Sequence, residues 1–100
     1  MAADPDFFVH RDGDHVAVAV ADLEPGSVHG VVLATDGDVT AELRAKVPLG
    51  HKFALVPRAA GEDVLEYGVR IGLAETDIAA GDYVHVHNLR SARWPHSRGN

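Results

Sequence analysis

Between residues 15 and 20 the chain reads His15-Val16-Ala17-Val18-Ala19-Val20, valine alternating with alanine. A period of two puts Val16, Val18 and Val20 on one face, the signature of a strand. The run is cut short by Asp22-Leu23-Glu24-Pro25-Gly26, where proline presets φ and glycine accepts a positive one. This rhythm of brief apolar runs and turns continues down the chain and limits what it can build. Residues 28–33 form a second run, Asp36-Gly37-Asp38 a hairpin turn, and residues 39–47 either a third strand or a short helix. Pro48-Leu49-Gly50 precedes a short run over 51–56 that Pro57 closes. Residues 58–67 contain helix formers but are interrupted by Gly61, and glycine-punctuated strands follow over 68–74, 78–81 and 83–88.

Short strands with turn signals every 8–12 residues favour an all-β barrel or sandwich with at most one short helix. An internal echo supports a repeated turn: Ala59-Ala60-Gly61-Glu62-Asp63-Val64 returns as Ala79-Ala80-Gly81-Asp82-Tyr83-Val84, and Leu23-Glu24-Pro25-Gly26 is a looser copy. It reads as a common turn-then-strand device or as a true repeat, and is structural either way. With 100 residues, 46% of them apolar, the chain has material for one core. The expected domain covers 14–90, between an N-terminal extension (1–13) and a flexible basic tail (91–100).

A formal charge of −6, with nine scattered Lys and Arg, argues against a nucleic-acid surface. No apolar run approaches the roughly 20 residues that span a bilayer, so no membrane partner is expected, and a cytoplasmic location is. The absence of cysteine removes disulfides, thiolate nucleophiles and Cys-based zinc sites.

Three local patterns could carry chemistry. In His85-Val86-His87, alternate residues of a strand point the same way, so two imidazoles can converge on one metal ion or anion. The plain alternative is a pair of half-exposed histidines at a strand end, with Asn88 as a turn former. Gly50-His51-Lys52 sets an imidazole and an ammonium beside a glycine that lets a ligand approach. On a straight strand His51 and Lys52 would diverge, so both reach one ligand only if the chain bends there. Glu66-Tyr67-Gly68 and Ile71-Gly72 could hold a carboxylate through backbone N–H groups, or simply turn the chain. His10, His15, His29 and His96 lie outside any cluster and read as incidental. No Ser-His-Asp set, phosphate-binding loop or His-Glu-x-x-His helix is present.

Taken together, Gly50-His51-Lys52-Phe53-Ala54-Leu55, Gly61-Glu62-Asp63-Val64, Tyr67-Gly68-x-x-Ile71-Gly72-x-Ala74 and Ile78-x-x-Gly81-x-x-Val84-His85-Val86-His87-Asn88 resemble the small N-terminal region of altronate and galactarate dehydratases. The related small subunit of sulfolactate sulfo-lyase is similar in the same order. This resemblance covers about Asp14 to Leu89. It implies a SAF-type fold, a small β-clip, working with a large catalytic dehydratase subunit on a small sugar-acid substrate; homo-oligomerisation is compatible with it. Such enzymes eliminate water, or sulfite, from 2-hydroxy acids, commonly with a divalent metal such as iron, manganese or magnesium.

The resemblance further implies catalytic roles for His51, Lys52 and His87, substrate binding by Tyr67, Gly68 and Asn88, and metal ligation by His85 and His87. Lys52 would pair with a substrate carboxylate or hydroxyl. The two terminal histidines would act as ligands, proton donors or substrate contacts, which the sequence leaves open. One departure stands out: Glu66 precedes Tyr67 where a basic residue is expected. The alternative to a lyase component is a stand-alone module that binds carbohydrate or sugar acid without chemistry.

Overall fold

The computed structural model describes residues 4–85 and 87–91. These residues contain no helix: β1 (Phe7–Val9), β2 (Val16–Ala19), β3 (Gly26–Val32), β4 (Gly37–Leu43), β5 (Lys52–Ala54), β6 (Asp63–Glu66), β7 (Val69–Ala74), β8 (Tyr83–Val84) and β9 (Leu89–Ser91). Six strands form one curled sheet in the order β4-β3-β1-β2-β5-β8, and three form a second, β6-β7-β9. The all-β expectation holds. Residues 39–43 lie in strand β4, not in a helix, and of 58–67 only Asp63–Glu66 is regular, again as a strand.

The N-terminal boundary requires correction. Phe7–Val9 is no extension, because β1 fills the gap between β3, to which it runs parallel, and β2, to which it is antiparallel. Phe7 is completely buried and packs edge-to-face on Phe53 at 4.9 Å. Three strand residues flanked by polar ones are too few to show a period, so this strand was hidden in the sequence. The proposed tail lies outside the described residues apart from Ser91, the end of β9, and so does His96.

Two cores share the β2–β5 pair as a wall. Ala17, Ala19 and Phe53 face the larger cluster with Phe7, Leu43 and Val47, while Val16 and Ala54 face the smaller one with Val64, Ile78 and Val84. The alanine face of β2 thus lies against the aromatic pair, whose rings fill the space that small side chains leave.

The echoed segments clasp each other. Arg58 and Ile78 exchange backbone hydrogen bonds of 2.9 and 2.8 Å. The N–H of Gly61 donates to Ala74, whose N–H returns to Glu62; twenty residues along, Gly81 donates to Ala54 and Ala54 to Asp82. Each turn is closed by its own acid, Glu62 accepting from Ala59 N–H at 2.7 Å and Asp82 from Ala79 N–H at 2.8 Å. A second clasp joins Leu23 to Val47, with Gly50 donating to Ala19 and Ala19 to His51. In this way the turn carrying Gly50 delivers His51 and Lys52 to the start of β5. There the antiparallel partner is β8, with Lys52 opposite Val84 and Phe53 opposite Tyr83.

Candidate functional site

Because β5 and β8 run antiparallel, the residues just before β5 meet those just after β8. A cavity of about 360 Å³ opens at this meeting point, lined by Gly50, His51, Lys52, Ile71, Val84, His85 and Leu89. One wall is polar (His51, Lys52, His85); Ile71 and Leu89 of the smaller sheet supply an apolar one. The imidazole centres of His51 and His85 are 5.3 Å apart. Tyr83 links them: its hydroxyl lies 2.7 Å from Nδ1 of His51, and its ring stacks on His85 at 5.6 Å with 11° between planes. With Nδ1 engaged, His51 has Nε2 left for a ligand.

His85 and His87 are not on one strand face. β8 stops at Val84, and His87 and Asn88 lie in a turn, with the N–H groups of Asn88 and Leu89 both donating to the carbonyl of His85. Asn88 is only 7% exposed and holds this turn from inside. Its Oδ1 accepts the His85 N–H at 3.0 Å and its Nδ2 donates to the Tyr83 carbonyl at 2.8 Å. Both ends of the amide are therefore used within the chain. His87 is exposed, 5.8 Å from the Tyr83 ring, and does not line the cavity. Among the described residues no three His, Asp or Glu side chains gather to hold a metal ion.

Tyr67 and Gly68 form the tip of the β6–β7 hairpin, with φ of 62° and 72°. Two consecutive left-handed residues define the turn that matches strand twist, but a bulky tyrosine is strained there. Buried Asp14 compensates, accepting the N–H groups of Arg11, Tyr67 and Gly68 at 3.2, 2.9 and 3.0 Å. The backbone N–H groups of Tyr67 and Gly68 are taken up by the protein's own Asp14. The 57%-exposed Tyr67 ring also stacks on His10 at 3.8 Å.

The remaining histidines are placed by structure. His15 accepts the Leu65 N–H at Nδ1 (3.0 Å); burial first, then the Arg58 charge, push its imidazole pKa down. His29 meets Asp38 at 3.1 Å on the exposed face of the β3–β4 hairpin.

Over residues 5–92 the chain matches the model of the altronate/galactarate dehydratase SAF domain. The chain belongs to this family. The SAF domain is 49% identical over 78 residues to altronate dehydratase of Escherichia coli, covering 78% of this chain but 15% of that enzyme. It is 38% identical over 91 residues to the (2R)-sulfolactate sulfo-lyase subunit alpha of Chromohalobacter salexigens, 89% of this chain and 97% of that subunit. Altronate dehydratase of Bacillus subtilis is 31% identical over 84 residues, of which the match again covers a small share, 16%. The same module thus occurs within long dehydratases and as a short subunit. No helix among the described residues is long and apolar enough to cross a membrane.

Three residues around the SAF-domain cavity escaped the sequence reading. Tyr83 was visible only as a strand former, and its contact with His51 spans 32 positions. Glu66 and His10 join behind Lys52: Glu66 Oε1 lies 3.4 Å from Nζ of Lys52, and Oε2 lies 3.2 Å from Nε2 of His10. His10 is therefore not incidental. The one available signal was the acid at position 66 where the family resemblance led us to expect a base.

Proposed function

We propose that this chain is the small component of a lyase of the altronate dehydratase and sulfolactate sulfo-lyase kind, and that it contributes one wall of an active site completed by a larger catalytic chain. The observation carrying this reading is the convergence of His51, Lys52 and His85, from two separate segments, on one cavity. A 2-hydroxy carboxylate is the fitting ligand. Its elimination removes the C2 proton and the C3 hydroxyl as water, leaving an enol that tautomerises to the 2-keto acid; in the sulfo-lyase case sulfite departs instead. Negative charge grows on the carboxylate as the proton leaves, and a fixed cation there lowers the barrier.

In this scheme Lys52 pairs with the substrate carboxylate, and His51 serves a hydroxyl through Nε2. His85 and His87, beside the β8 turn, take one of two exclusive roles, as imidazolium proton donors to the leaving group or as neutral metal ligands. Asn88, Tyr67 and Gly68 shape the site through the backbone they hold. A divalent metal, iron, manganese or magnesium, supplies Lewis-acid stabilisation when bound. His85 and His87 would be this chain's ligands, and the larger chain would provide the others. We place the assembly in the cytoplasm, with the sugar acids it acts on.

The test is an elimination assay on altronate and (2R)-sulfolactate with each divalent metal, for the chain alone and for the chain with its larger partner. Keto-acid formation is expected only from the pair. Turnover by the small chain alone, or saturable sugar-acid binding by it with no turnover in any assembly, would replace the proposal with a self-sufficient enzyme or a binding module.

A further inference from the structure

Among the described residues lining the cavity Lys52 is the one lysine or arginine; the others are two imidazoles, a glycine and three apolar side chains. Its charge is countered from behind. Glu66, 7% exposed, sets one oxygen 3.4 Å from the ammonium and gives the other to His10. Nδ1 of His10 is buried without a hydrogen-bond partner, so a proton there would have no acceptor. The tautomer this packing satisfies carries its proton on Nε2 and donates it to Glu66. Tyr67, stacked on the ring, holds it in place. Lys52, Glu66 and a neutral His10 sum to no net charge, and the nearly buried carboxylate offsets part of the field of the partly exposed ammonium.

We propose that Glu66 is a specificity-determining residue that fits this site to a 2-hydroxy acid carrying one negative charge, such as an aldonate, over one carrying two. The inference rests on the reading of the cavity as half of a lyase site. An ammonium has three N–H donors and can serve Glu66 and one substrate carboxylate together. A second anionic group would meet no further lysine or arginine among the described lining residues and would be repelled by buried Glu66. The hydroxyls of an aldonate find hydrogen-bond partners in His51 and His85.

The experiment is kinetic, on the complete complex of this chain with its larger partner. The efficiency kcat/KM is measured for altronate, a monoanion, and for (2R)-sulfolactate, a dianion, with inhibition constants used where turnover is too slow. The wild type should favour altronate. Glu66→Gln keeps shape but removes the charge, and should shift the sulfolactate-to-altronate ratio upward by about tenfold. Lys52→Gln, at a more exposed position that tolerates change, should shift it downward by a similar factor, which keeps the test decisive if Glu66→Gln fails to fold. A wild type that prefers sulfolactate, or ratios that stay within about twofold in every folded variant, would overturn the charge assignment alone. A complex that turns over neither acid would overturn the lyase reading and this inference with it.

Discussion

His15 shows how one side chain can report on the junction between the two sheets. Its Nδ1 accepts the Leu65 N–H from β6 and so must stay unprotonated for the bond to exist. Burial and Arg58 lower its pKa below the ordinary 6.5, with Asp14, Glu62 and Asp63 acting in the opposite direction. Across that window the unfolded chain binds a proton that the folded chain does not. The stabilisation is therefore complete above about pH 6.5 and is lost as pH falls through the depressed folded value. Urea midpoints from about pH 8 to about pH 5 should drop more steeply for the wild type than for His15→Gln. Parallel curves would show that His15 is protonated alike in both states. The cavity residues divide by the same logic of distance. His51, Lys52 and His85 were legible because glycine-bounded runs of titratable residues are a local signal. Glu66, His10 and Tyr83 were not, because their roles depend on contacts between residues far apart in the chain.

At the level of elements, the repeated Ala-Ala-Gly-acid turn was readable and its partner was not. A turn motif specifies its own φ and its own capping acid, but nothing in it states that copy 58–62 will lock onto copy 78–82. Gly81 shows a further tie, from this turn to β4: with φ of 90°, a Cβ there would strike the carbonyl of Glu42. The extension expected over 1–13 failed for a related reason, since β1 is recruited by the open edges of β2 and β3 and not by its own pattern. Phe7→Ala should accordingly destabilise the domain by about 3–5 kcal/mol, the usual loss for a buried aromatic, a large part of a small domain's stability. A change below about 0.5 kcal/mol in chemical denaturation, typical of surface sites, would mean that β1 is an appendage after all.

For the whole molecule, two cores share the β2–β5 wall, and the cavity holding His51, Lys52 and His85 lies at one end of the β5–β8 pair. The fold class was legible because strand periodicity and turn chemistry agree along the chain. The cavity was legible only as a meeting of two motifs, and its apolar wall from β7 and β9 emerges from packing alone. Among the described residues no three His, Asp or Glu side chains gather around the cavity as a metal group. The most direct measurement is kcat of the reconstituted complex containing wild-type, His51→Ala, Lys52→Ala or His85→Ala small chain, at matched stoichiometry, with Asp38→Ala on β4 as control. Turnover should fall by about a hundredfold or more in the three cavity variants and hold in the control, with association unchanged in all. Equal kcat across the four variants and the wild type would mean that this chain organises its partner without entering the chemistry.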